Sequence, residues 1–129
     1  MGHPNEDLVR RGYEAFAAGD VATMTELMAD DVVWHTPGRS SISGDQKGRD
    51  AVLQFFGKIA QDTGGTFKLD VHDIVGNDEH VVALTTSTGQ KDGRSLNAHI
   101  INTFHVKDGK LTEAWAASDD QYAVDEFWG

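Results

Sequence analysis

The chain has 129 residues, 39% of them apolar, which suits one globular domain with its own core, and it contains no cysteine, which excludes disulfides, thiolate metal sites and Cys nucleophiles. Eleven Lys and Arg against 21 Asp and Glu leave a net charge of −10 at pH 7, so phosphate backbones and anionic bilayers are repelled and neither nucleic acid nor a membrane is an expected partner. No apolar run approaches the ~20 residues of a bilayer crossing, and the polar, acidic N-terminus is unlike a secretory signal, so a cytoplasmic location is expected.

Leu8, Val9, Tyr13 and Phe16 recur at helical spacing before Gly19, predicting a helix over about 5–18. Asp20 is placed to cap a second helix whose apolar stripe is Val21, Met24, Leu27 and Met28. Val32 to Thr36, β-branched and aromatic, reads as a short first strand ended by Pro37 and Gly38, and the Ser- and Gly-rich residues 38–48 read as a loop. Val52, Phe55, Phe56 and Ile59 mark an amphipathic helix over 49–62, stopped by Gly64 and Gly65.

After that helix the period changes to two. Phe67, Leu69 and Val71 alternate with polar residues. Turn signals at Gly76-Asn77-Asp78, Asp92-Gly93 and Asp108-Gly109 then separate strands at about 79–89, 94–107 and 110–118. Asp119 or Asp120 can cap a last short helix with Tyr122, Val124 and Phe127. About four helices and five strands result, helices early and hairpins late. This is the pattern of an α+β domain spanning 1–129, with helices covering one face of a curved antiparallel sheet.

The order of these elements resembles the nuclear transport factor 2-like superfamily, nearest its ketosteroid isomerase and SnoaL-like polyketide cyclase branches. The residues that carry the likeness are the Gly19-Asp20 junction, the run Asp30 to Gly38, the helix start Gly48-Arg49-Asp50-Ala51-Val52 and the Asp108-Gly109-Lys110 turn. The resemblance implies a cone-shaped domain with a pocket between the concave sheet face and the N-terminal helices. It also implies a homodimer through the outer face, where Ile101 and Thr103 fall. Set against the ketosteroid isomerase pattern, Gly12 stands at the oxyanion-binding Tyr, Thr36 at the general-base Asp and Asn102 at the protonated Asp. Isomerisation by that mechanism is therefore not expected, because a Thr hydroxyl without a base cannot abstract a carbon-bound proton at a useful rate.

Asn102 can still donate to a developing oxyanion, and strand alternation puts it on the more apolar face with Ile100, Phe104 and Val106; the alternative is a core amide satisfied by backbone. His35 titrates near neutrality and suits proton transfer if the Pro37-Gly38 bend turns it inward. Strict alternation, with Thr36 inward, sends His35 to the outer face instead. Tyr13, Trp34, Phe55, Phe56, Phe104 and Val106 are the expected apolar wall, although ordinary core packing predicts the same residues.

The six histidines show no metal-ligand spacing: His99 and His105 share a strand face but lie about 20 Å apart, so no metal is expected. No nucleophile elbow, phosphate loop or dinucleotide fingerprint occurs, and no cofactor is implied. The expectation is a cofactor-independent isomerase, cyclase or lyase acting on a small hydrophobic carbonyl compound, with Asn102 as oxyanion donor, Thr36 orienting substrate or water and His35 as base. A non-catalytic binding module of the same fold, or a protein-interaction domain using the outer sheet face, are the alternatives.

Overall fold

In the computed structural model, which describes residues 3–129, ten elements follow one another. These are α1 (Pro4–Ala18), α2 (Val21–Leu27), β1 (Met28–Thr36), β2 (Gly44–Lys47), α3 (Arg49–Asp62), β3 (Lys68–Gly76), β4 (His80–Lys91), β5 (Arg94–Lys107), β6 (Lys110–Ser118) and α4 (Gln121–Trp128). Gly19 closes α1 in the left-handed conformation at φ 68°, and Asp20 caps α2 by accepting from the Thr23 amide at 3.1 Å. Asp120 caps α4 in the same way, through the Ala123 amide at 3.1 Å.

The six strands form one curved, unclosed sheet in the order β2-β1-β6-β5-β4-β3. β3 to β6 are the expected meander. Two features differ from the sequence reading. A sixth strand, β2, lies in the stretch whose Ser- and Gly-rich composition predicts a loop; it pairs antiparallel with β1 from Val33↔Lys47 to Thr36↔Gly44. Its residues are polar because it is an edge strand with one solvent-facing side, so no hydrophobic alternation marks it. β1 also begins four residues earlier than expected and lies parallel to β6, with His35 opposite Trp115, so the sheet is mixed at that one junction.

All four helices pack on the concave side: α1 against β3 and β4, α3 against β1 and β2, and the C-terminal α4 against β5 and β6. The core is split into two clusters. Val9, Met24, Leu27, Val81 and Phe104 belong to the first, Ile42, Phe55, Leu96, Val124 and Trp128 to the second, and Trp34 and Phe56 touch both. The split has a cause in side-chain size. The inward positions in the middle of the sheet are small: Ala83, Thr85 and Ser87 on β4, Ala98 on β5, Ala114 and Ala116 on β6. Helices laid across such a trough cannot close it, and space remains between the two clusters.

Candidate functional site

That space is a cavity with an empty volume of about 1150 Å³, its open mouth included. Trp34 lines it, edge-on to Phe56 with centroids 5.0 Å apart and to Phe104 at 5.7 Å, and Phe16 meets Phe56 at 5.5 Å. No carboxylate, imidazole, ammonium or guanidinium lines it among the described residues. The polar side chains that line it are few: the Tyr13 hydroxyl, the Asn102 amide, the hydroxyls of Thr36, Ser40 and Ser87, the Gln121 amide and the indole N–H groups of Trp34 and Trp128.

Two of these meet. Asn102 Nδ2 donates to the Tyr13 hydroxyl oxygen at 2.6 Å. Asn102 is 5% exposed and sits on β5 between Ala83 of β4 and Ala116 of β6, so its amide is the one long polar side chain in a row of methyl groups. Tyr13 reaches it from α1, held edge-on to Phe104 at 6.2 Å. Burial pushes the Tyr13 phenol well above its ordinary value, against a smaller opposing effect of the Asn102 bond. The phenol thus stays protonated at neutral pH. With its oxygen already accepting from Asn102, its own proton is free to be donated to a third group.

Tyr13, Trp34, Phe55, Phe56 and Phe104, named from the sequence as an apolar wall, all line the cavity. Val106 does not: it is buried in the first core cluster. Thr36 lines the cavity, and its Oγ1 is buried without a hydrogen-bond partner.

His35 is the main correction. It lies on the outer face, where Nδ1 is 2.7 Å from Asp45 Oδ1 and Nε2 is 2.5 Å from Glu113 Oε2, and its ring stacks on Trp115 at 5.2 Å. The bond to Glu113, and then that to Asp45, raises its pKa above the ordinary imidazole value of 6.5. A histidine held by two carboxylates on the far side of the sheet cannot serve as base for a reaction in the cavity. The strict alternation of β1, rather than the Pro37-Gly38 bend, decides its direction.

Sequence reasoning placed Gly12 at the position of an oxyanion-binding Tyr. A tyrosine hydroxyl does stand on Asn102, but residue 13 supplies it. The signal was present: Val9, Tyr13 and Phe16 follow the i, i+4, i+7 spacing of one helix face, and all three line the cavity. Ser87 was missed, as were Gln121, Val124 and Trp128 of α4, which wall the cavity from the C-terminal end of the chain. Tyr122 of the same helix is 90% exposed.

The fold, a curved sheet with helices on its concave face around an apolar cavity, is the one that nuclear transport factor 2-like proteins share, and the chain belongs to the SnoaL-like domain family, whose signature matches residues 9–114. An uncharacterised protein of Mycobacterium tuberculosis is 32% identical over 123 residues, 95% of this chain and 94% of its own. Among solved structures, Bal32a from a soil-derived mobile gene cassette superposes with a TM-score of 0.95 at 40% identity, covering 98% of this chain and 97% of its own. A Xanthomonas campestris protein of unknown function with a cystatin-like fold is 31% identical, with a TM-score of 0.89 and coverage of 95% and 96%. IdmH of Streptomyces antibioticus, a candidate polyketide cyclase, is 27% identical, with a TM-score of 0.74 over 92% of this chain and 93% of its own.

Proposed function

We propose that the chain is a cofactor-independent isomerase or cyclase that binds a small hydrophobic carbonyl compound in the cavity and polarises its carbonyl with Tyr13 and Asn102. The observation that carries this reading is the Asn102–Tyr13 hydrogen bond at 2.6 Å inside a cavity lined mainly by apolar side chains. The carbonyl oxygen accepts the Tyr13 proton in a hydrogen bond. Asn102 fixes the phenol oxygen and spreads the charge that develops as the carbonyl becomes enolate-like, and the low dielectric around them strengthens both bonds.

Among the described residues none that lines the cavity is a base titrating near neutrality, which limits the chemistry. The reacting hydrogen must be acidic enough for water or the substrate's own oxygen to carry, as between two carbonyls, or the ring closure must need no proton transfer. Thr36, with its hydroxyl unpaired, is placed to hold a water or a second substrate oxygen. The missing base also favours a second reading, a non-catalytic binder of the same class of molecule.

Native mass spectrometry of the purified protein identifies a retained ligand, and turnover is then followed on it and on β-dicarbonyl compounds of polyketide type. Asn102→Leu and Tyr13→Phe each lower turnover by about 10²- to 10³-fold, the usual loss on deleting one oxyanion donor, while affinity for a neutral ligand falls only by the roughly three- to tenfold of one hydrogen bond. Full activity in both variants overturns the assignment. Ligand affinity without turnover of any such compound replaces the enzyme with the binder.

A further inference from the structure

Ser87 has an inward position on β4, opposite Ala98 of β5 and Leu69 of β3, and it is 1% exposed. Its Oγ has no hydrogen-bond partner, although the residue lines the cavity. The neighbouring inward hydroxyl behaves differently: Thr85 Oγ1 donates to the Ile100 carbonyl at 2.8 Å. A hydroxyl among apolar walls with nothing to bond is disfavoured in the ligand-free protein, and the side chains of Leu69 and Ala98 offer it no relief. A polar group brought in by a ligand would.

The position of Ser87 relative to Asn102 defines what that ligand is. Four residues of β5 separate Ala98 from Asn102, a rise of about 13 Å, and one strand spacing of about 5 Å separates Ala98 from Ser87. Ile100 lies between them on the same face and lines the cavity.

We propose that Ser87 is a second polar anchor of the cavity: the bound molecule is elongated, with one oxygen on Tyr13 and Asn102, an apolar body, and a second neutral hydroxyl or carbonyl that Ser87 recognises; the anchors stand about 14 Å apart on the backbone, and a hydrogen bond of about 3 Å at each end brings the two ligand oxygens to roughly 10 Å from one another. The second group is uncharged because no charged side chain lines the cavity among the described residues. This inference rests on the carbonyl-anchor reading above.

Two probes test it by calorimetric titration of the whole protein. Para-phenylphenol carries one oxygen, and its para,para′-biphenol counterpart carries a second at the far end of the same rigid body. The preference for the biphenol over the phenylphenol in the unaltered protein exceeds that in Ser87→Ala by roughly three- to tenfold, the effect of one hydrogen bond. The ratio of preferences cancels the symmetry of the biphenol. In the absence of ligand, Ser87→Ala raises the Tm, because an unpaired buried hydroxyl is removed.

An unchanged preference in Ser87→Ala overturns the inference, as does a lowered Tm without ligand, which would mean that the hydroxyl has a partner within the protein. Tyr13→Phe separates the two levels. It weakens both probes alike, and if it does so while Ser87→Ala has no effect, only the second anchor falls. If Tyr13→Phe changes neither probe, or the unaltered protein binds neither, the carbonyl-anchor reading falls and the second anchor with it.

Discussion

At the scale of single residues, direction matters more than type. Thr36 and His35 are neighbours at the end of one strand, yet one reaches the cavity and the other lies on the opposite face of the sheet between Asp45 and Glu113. That difference is testable through pH. Folding raises the His35 pKa, chiefly through Glu113, so protonation favours the folded state. The contribution is present in full below the unfolded value, near the ordinary 6.5, and is lost as pH rises through the folded one. Thermal melts across this range will show Tm declining with rising pH, and His35→Gln will flatten the decline while leaving cavity binding intact. A His35→Gln variant with the pH dependence of the parent would show that another group is responsible.

At the scale of elements, the loop after β1 and the last helix form one wall. Gly38 has φ 91°, and a Cβ there would overlap Asp125 Oδ1 and lie 2.5 Å from Gln121 Nε2. The same Asp125 accepts from the Arg39 amide at 3.0 Å, so α4 docks directly on the loop. Gly38→Ala strains the backbone and pushes the Asp125 and Gln121 side chains off the loop, at a cost on the order of 1–3 kcal/mol, read as a lower denaturant midpoint. Because Gln121, Val124 and Trp128 of α4 line the cavity, affinity for apolar ligands will fall in the same variant. A midpoint and affinity equal to those of the parent would mean that loop and helix move apart freely.

At the scale of the whole molecule, the outer face of the sheet is the surface to explain. Leu84 and Ile101 are paired neighbours on it, 37% and 39% exposed, beside the ring cluster of His35, Trp115, His105 and His80. We propose, in line with the expectation from the family resemblance, that two copies pair through this face. Sedimentation velocity at micromolar concentration will give a dimer, and Ile101→Lys will shift it toward monomer without altering ligand binding. A monomer at that concentration rules the pairing out.

Much was legible without coordinates. The 3.6-residue stripes of α1 and α3, the turn pairs Asp92-Gly93 and Asp108-Gly109, and the two-residue alternation of β5 are local signals, produced by neighbours in the chain, and the structure has those elements at or within a residue of where they were read. Alternation alone put Asn102 on the apolar face. Three things were decided only by tertiary structure. β2 exists because β1 presents an edge to pair with, not because its own residues favour a strand. The Tyr13–Asn102 bond joins residues 89 positions apart, and whether residue 12 or 13 meets Asn102 depends on how α1 is rotated against the sheet. The unpaired hydroxyl of Ser87 exists because small side chains from three strands coincide beneath helices that cannot fill the space, a sum over distant residues that no local pattern records.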